Sequence, residues 1–314
     1  MLLPLFHQDV FVVVLASGSR GNCTYVGTER SGVLVDCGLG PTQTLARLSV
    51  VGLGTARIEG VLVTHEHSDH VGGAAVLDRA LQKRQGELVP FWMTTGTARN
   101  LHERIVPRTV RTVVAGTPFP IGRIRVEPVS VPHDVPDPVC YTLEIGRTRV
   151  GVITDLGRST RLVERQLSTM DVAVLEFNHD PELLLDGSYP WSLKQRIRGN
   201  HGHLSNAQAA DLVAAGASSR LRHLLLAHLS DENNRPVLAE EAAHHGLSRA
   251  GYRGVTVAVG RQREPLPAVR PEADTQQATK NPVNRVPRIN RRIPGASPAF
   301  PSLDEQHRQG RLFG

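Results

Sequence analysis

The sequence predicts an α+β fold in which two β-sheets pack face to face, helices cover their outer surfaces, and a disordered tail follows. Three observations predict it. Short β-branched runs bounded by turn residues recur through the first 260 residues, mostly in hairpin-like succession. Helical patterns stand between blocks of those runs. Near residue 260 the composition turns Pro- and Arg-rich and loses all periodicity.

In chain order, the first strands are expected at Val10–Ala16, Asn22–Val26, Gly32–Asp36, Ile58–Thr64 and Val89–Met93. Helices fall among them at Thr42–Leu48, Val71–Arg84 and Thr97–Ile105. A second block places strands at Arg123–Val129, Cys140–Ile145, Arg149–Thr154, Val172–Phe177, His223–Ala227 and Val255–Val259. Its helices are Arg161–Leu167, Ser205–Ala215 and Pro236–His245. Ser205 can cap its helix, with Gln208 returning the reciprocal bond. Pro236 sits in a first turn, where a missing N–H costs least. Residues 1–260 therefore form the domain. Residues 261–314 carry too little apolar surface to offset chain entropy and should be disordered.

Composition excludes some classes. No apolar run approaches the ~18 residues needed to span a bilayer, and Val10–Ala16 lacks the basic leader of a signal peptide. Cys23, Cys37 and Cys140 form no CxxC pair and leave an odd thiol, which fits a reducing compartment, the cytoplasm. The net charge is +6, and the region from Arg261 onward holds 10 Arg/Lys against five Asp/Glu. The body is thus close to neutral. A basic protein is compatible with a nucleic-acid partner, because Lys and Arg release phosphate counterions.

The chemistry is concentrated after the apolar run Gly60-Val61-Leu62-Val63-Thr64, in His65-Glu66-His67-Ser68-Asp69-His70. Neutral imidazole and carboxylate suit zinc, manganese or iron. In an extended turn His65 and His67 point the same way, while Asp69 and His70 open the next helix and can reach a second ion. A histidine-rich polar turn is the bland alternative.

HxHxDH after an apolar strand resembles the signature of the metallo-β-lactamase superfamily, an αββα sandwich with one or two metals between its sheets. The resemblance calls for a further His, a bridging Asp and a late His. His133, Asp155 and His228 fall in that order, the last two ending apolar strands. By resemblance, His65, His67 and His133 hold one ion, Asp69, His70 and His228 hold the other, and Asp155 bridges. Asp36 matches an early structural Asp. Two bound divalent ions imply hydrolysis by an activated water, with Asp69 orienting it or taking its proton.

Four further segments narrow the resemblance: Ser17–Cys23, Glu176–Asp180, Tyr189–Asn206 and Ala227–Pro236. Together they are similar to the YycJ (WalJ) branch of bacterial enzymes, associated with 5′-to-3′ exonuclease action on double-stranded DNA. His203 resembles the histidine beside the scissile phosphate in ribonuclease Z, implying a phosphate contact or leaving-group acid; a helix-start His bonded to backbone is the alternative. Lys194, Arg196 and Arg198 are candidates for DNA phosphates, or a solvated basic face. Ser19, Arg20 and Asn22 are candidate substrate contacts, though Asn22 can simply shape a turn. His179 reads equally as a residue behind the ligands or a core histidine. Spacing leaves no room for a β-CASP domain or for the tRNA-clamping arm of ribonuclease Z. A small-substrate phosphodiesterase and a non-catalytic, metal-bound DNA-repair adaptor are the competing readings.

Overall fold

A computed structural model describes residues 9–271. Its first sheet follows chain order: β1 (Phe11–Ala16), β2 (Cys23–Gly27), β3 (Ser31–Val35), β4 (Arg57–Leu62), β5 (Phe91–Thr94) and β6 (Val110–Val113). Among these strands lie α1 (Pro41–Val50), α2 (Ser68–Val71), α3 (Ala74–Gln85) and α4 (Thr95–Asn100). The second sheet also follows chain order: β7 (Phe119–Ile121), β8 (Ile124–Ser130), β9 (Val139–Ile145), β10 (Thr148–Ile153), β11 (Val172–Glu176), β12 (His223–Ala227) and β13 (Thr256–Val259). Its connections carry α5 (Arg161–Leu167), α6 (Pro181–Asp186), α7 (Trp191–Arg198), α8 (Asn206–Gly216) and α9 (Pro236–Arg249).

The expected two-sheet sandwich with helices outside is what forms. The connectivity differs from the hairpin-rich expectation, because hairpins account only for the first strands of each sheet. From β3 to β6 and from β10 to β13 every pairing is parallel. A parallel pair needs a crossover, and helices supply it. Those strands are covered on both faces, which explains their unbroken apolar runs. Between the sheets, Val12, Val33 and Leu62 meet Val126, Tyr141 and Val174. Outside the first sheet, Leu34 and Val61 pack under Leu48, Leu77 and Leu81. Outside the second, Ile153, Leu175 and Leu224 pack under Val163, Leu212 and Ala243. Each such aliphatic side chain contributes about 1.5–3 kcal/mol by leaving water.

Three expectations need correction. The single helix over Val71–Arg84 is two, α2 and α3, broken at Gly72-Gly73. Strands β6 and β7 and helices α6 and α7 are additional. The tail does not begin at residue 261. Val269 exchanges both backbone hydrogen bonds with Val12, at 3.0 and 2.9 Å, and Leu266 N donates to Val14 O at 2.9 Å. Leu266 is buried. Strand β1 is a sheet edge, and this segment satisfies N–H and C=O groups that would otherwise be bare. The rest of the expected tail lies outside the described residues. No helix among the described residues is long and apolar enough to cross a membrane. The three cysteines are free and buried.

Candidate metal centre

Both sheets turn the C-terminal ends of their parallel strands toward one end of the sandwich, where crevices form in open α/β sheets. Asp36 follows β3, Asp155 closely follows β10 and His228 follows β12. All three take left-handed backbone conformations, with φ of 63°, 62° and 55°. Such angles are costly for residues with a Cβ and persist where the surroundings enforce them. Here the kinks aim Asp155 and His228 at one point and Asp36 at the segment that braces it.

The His65–His70 segment is braced from below. Asp36 Oδ1 accepts from Thr64 N at 2.9 Å and from Thr64 Oγ1 at 3.0 Å, while Asp36 Oδ2 lies 2.8 Å from His70 Nδ1. Thr64 Oγ1 also lies 3.0 Å from His65 Nδ1. With the Nδ1 atoms engaged, Nε2 of both imidazoles is left for the centre. Asn22 N donates to Asp69 O at 2.7 Å, and a Cβ at Gly38 would stand 1.8 Å from that same carbonyl. Only glycine fits there.

The described residues converge as groups whose ligand atoms lie within 4.8 Å of one another: His65 with His67 and His133, Asp69 with His70 and His228, and His65 with His70 and Asp155. A fourth group joins Asp155, Glu176, His203 and His228. Asp155 thus stands between the imidazole groups, 3.2 Å from His70 Nε2 and 3.6 Å from His228 Nε2. His65 Nε2 is buried without a hydrogen-bond partner, and Asp155 Oδ2 accepts no well-directed hydrogen bond although His70 Nε2 lies 3.2 Å away. Buried polar atoms are rarely left in that condition, and a cation between them would satisfy both. The donor set of imidazoles and carboxylates fits borderline divalent ions.

Electrostatics agree with that fit. Burial holds His65, His67 and His133 below the ordinary imidazole range, in the neutral form that ligates metal. Burial also disfavours a proton on His70 and His228, but carboxylates outweigh it, Asp155 foremost. His70 is raised well above its ordinary value and His228 to about 10. Burial likewise pushes the carboxyls of Asp69 and Asp155 up, and the adjoining imidazoles more than reverse it, holding both well below the usual range.

Glu176, marked in the sequence only within the segment Glu176–Asp180, has a larger part in the structure. It is 0% exposed, and its Oε1 lies 2.7 Å from His203 Nδ1 and 3.3 Å from His228 Nδ1. Burial pushes its carboxyl up, but His203 and His228 outweigh that and hold it at about 2. An acid closing the apolar run Val172-Ala173-Val174-Leu175 was the available signal, since buried acids are almost always paired.

A cavity of about 260 Å³ opens over these groups, lined on its polar side by His67, Asp69, Asp155, His203 and His228. Ser19 and Arg196 line it too, together with Tyr189, Leu193 and Ile197. Arg196 pairs with Asp134, which lies 3.3 Å from His133 Nε2. Two expected contacts are corrected. Lys194 is buried with Nζ donating to Leu185 O, so its charge closes the end of α6 instead of facing a phosphate. Asn22 is buried too: its Oδ1 accepts from Gly18 N at 2.9 Å, and its Nδ2 lies 3.1 Å from Asp69 Oδ2. It shapes the loop and steadies Asp69. Arg20 is exposed and paired with Asp231 at 3.3 Å. His179 is buried beside Asn178, whose Nδ2 donates to His228 O at 2.8 Å, and so stands behind the site.

Comparison with known proteins follows the same lines. Residues 32–228 match the family model described as Beta-lactamase superfamily domain. Exodeoxyribonuclease YycJ of Bacillus anthracis is 35% identical over 242 residues, covering 76% of this chain and 89% of that one. Among solved structures, the metallo-β-lactamase fold protein YhfI of Bacillus subtilis superposes with a TM-score of 0.59 at 15% identity, over 82% of this chain and 99% of that one. Zn(2+)-bound PqqB of Methylobacterium extorquens gives 0.58 at 17% identity, over 82% and 99%. The chain belongs to the β-lactamase superfamily of metal-dependent hydrolases, in the branch of the YycJ exodeoxyribonucleases.

Proposed function

We propose that this chain is a dinuclear metal-dependent phosphodiesterase that removes nucleotides from the 5′ end of double-stranded DNA. His65, His67 and His133 would hold one divalent ion (zinc, manganese or iron), Asp69, His70 and His228 the other, with Asp155 between them. The name of its relative supports the DNA substrate. The single observation that carries the chemistry is the Glu176–His203 contact, 2.7 Å long, beside the clustered ligands.

Bound ions would supply an activated water and offset the charge of the phosphate. Asp69 reaches the cavity with 19% of its side chain exposed and is held by Asn22, so it can orient that water and take its proton. His203 lines the cavity with its Nδ1–H engaged by Glu176, so as an imidazolium it can pass its Nε2 proton to the departing oxygen and be left neutral. Arg196 and Ser19 supply cationic and hydroxyl contacts at the rim.

The test is degradation of 5′-labelled duplex DNA, single-stranded DNA and RNA with each of the three metals. Release of nucleotides from duplex 5′ ends is the expected result. Hydrolysis of small phosphodiesters with duplex DNA left intact would move the assignment to a small-substrate phosphodiesterase. Binding of DNA with no hydrolysis of either substrate would favour the adaptor.

A further inference from the structure

We infer that the site takes the terminal nucleotide unpaired and splayed out, with its base laid on Tyr189 and the apolar flank of α7. This rests on the nuclease reading above and adds the form in which the nucleic acid is held.

The cavity has two unlike sides. One is the crowd of imidazoles and carboxylates suited to ions and phosphate. The other is Tyr189, Leu193 and Ile197, an aromatic ring and two aliphatic chains that carry no charge. A nucleotide has both characters, a charged end and a flat apolar ring. Leu193, Arg196 and Ile197 stand at helical spacings of three and four, so they share one face of α7. That face is fixed: Lys194, on the neighbouring face, is buried and bonded to Leu185 O, and Arg196 is tied to Asp134 beside His133. The apolar wall is therefore registered against the metal ligands.

Tyr189 is set apart from the other three tyrosines of the sequence. Tyr25 and Tyr141 are fully buried with hydroxyls bonded to backbone carbonyls, and Tyr252 packs on the second sheet's core. Tyr189 is half-buried in the cavity wall instead. At about 260 Å³ the cavity is just below the ~300–1,000 Å³ of most ligand pockets. It suits one nucleoside monophosphate, not a base pair. Enzymes that reach a duplex nucleotide this way must unpair it, and an aromatic face repays part of that cost.

The experiment uses the full-length, metal-loaded protein. Its substrates are oligonucleotides whose 5′-terminal residue carries either a normal base or an abasic analogue. The wild type should show a KM roughly 5- to 150-fold lower for the normal terminus, the range expected for base–aromatic stacking. Tyr189→Ala should abolish that preference with metal content unchanged, and Tyr189→Phe, which keeps the ring, should retain it. Leu193→Ala gives a second, milder perturbation should Tyr189→Ala not fold. Equal KM for both termini in the wild type, or a preference that survives Tyr189→Ala, overturns the inference. Calorimetry with dAMP and deoxyribose 5-phosphate separates the two readings: a Tyr189-dependent preference for dAMP in a protein that cleaves no DNA would sink the exonuclease assignment alone. No preference for dAMP sinks the stacking wall.

Discussion

Glu176 holds His203 through one carboxylate oxygen at 2.7 Å, and the same oxygen lies 3.3 Å from His228 Nδ1. The other oxygen accepts from Leu156 N at 2.9 Å. One buried carboxylate thus joins the proposed proton donor to a proposed metal ligand, and the next turn of backbone anchors it. Its role is to position the two rings.

His203→Ala should lower kcat by ~10²–10⁴-fold, the usual worth of general acid help. Metal content should stay near wild type, because the proposed ligands are retained. Glu176→Gln should also lower kcat, and it should weaken metal retention through His228, where loss of a partner behind a ligand typically costs ~10–100-fold in affinity. Steady-state kinetics alongside elemental analysis separates the two. Equal activity of His203→Ala and wild type would remove the acid assignment.

Asp155→Ala should cost more metal than any other single substitution at the centre. Asp155 is buried among His65, His70, His133 and His228, and its carboxylate faces both proposed ion positions. Without it, two cations would face each other unshielded. Elemental analysis after reconstitution is the readout, and full occupancy with full activity would end the bridging assignment.

These placements also show what the sequence could convey. That His65, His67, Asp69, His70, His133, Asp155 and His228 come together was legible from the HxHxDH run after an apolar strand and from the resemblance that run carries. Lys194 was misjudged: a cation in the sequence Leu193-Lys194-Gln195-Arg196 gives no sign that one of its basic residues is buried and clasped to a carbonyl. Helices α6 and α7 are shorter than α8 and α9 and fell outside the helices expected from the sequence. Gln262 and Leu266 sit in a Pro- and Arg-rich stretch, and only long-range contacts, of Gln262 with the loop after β1 and of Leu266 with β1, reveal their part in the fold.

Metal uptake by the metal-free protein should release protons, and affinity should rise with pH. His70 is raised well above its ordinary value and His228 to about 10, so both carry protons near neutrality when no ion is bound. Each must lose its proton to ligate. A raised pKa means that the proton is held until pH passes it, so the competition is strongest at low pH and, for His228, fades as pH approaches 10. Titration of a weakly buffered sample with zinc or manganese should record acidification. Uptake without it would mean that these imidazoles are already neutral.

Truncation separates the two possible ends of the folded unit. A chain ending at Pro271 should keep its fold and its hydrolysis, whereas one ending at Gly260 should be less stable and less active. The shorter chain loses the Val12–Val269 pair and the Leu266 bond to Val14. Each hydrogen bond is worth about 0.5–1.5 kcal/mol, and burial of Leu266 about 1.5–3 kcal/mol. The entropy of ordering the segment offsets part of this, and each remaining ~1 kcal/mol lowers Tm by ~2–4 °C in a domain of this size. Activity falls for a separate reason. Gln262 Nε2 donates to Gly21 O at 2.9 Å, and its Oε1 accepts from Arg20 N at 2.8 Å. That clamp holds the loop whose Asn22 steadies Asp69. Gln262→Ala in the full chain should therefore lower kcat with only a small change in Tm. Thermal melts and kinetics of the three proteins decide it, and a chain ending at Gly260 that matches wild type in both would show that the segment is dispensable.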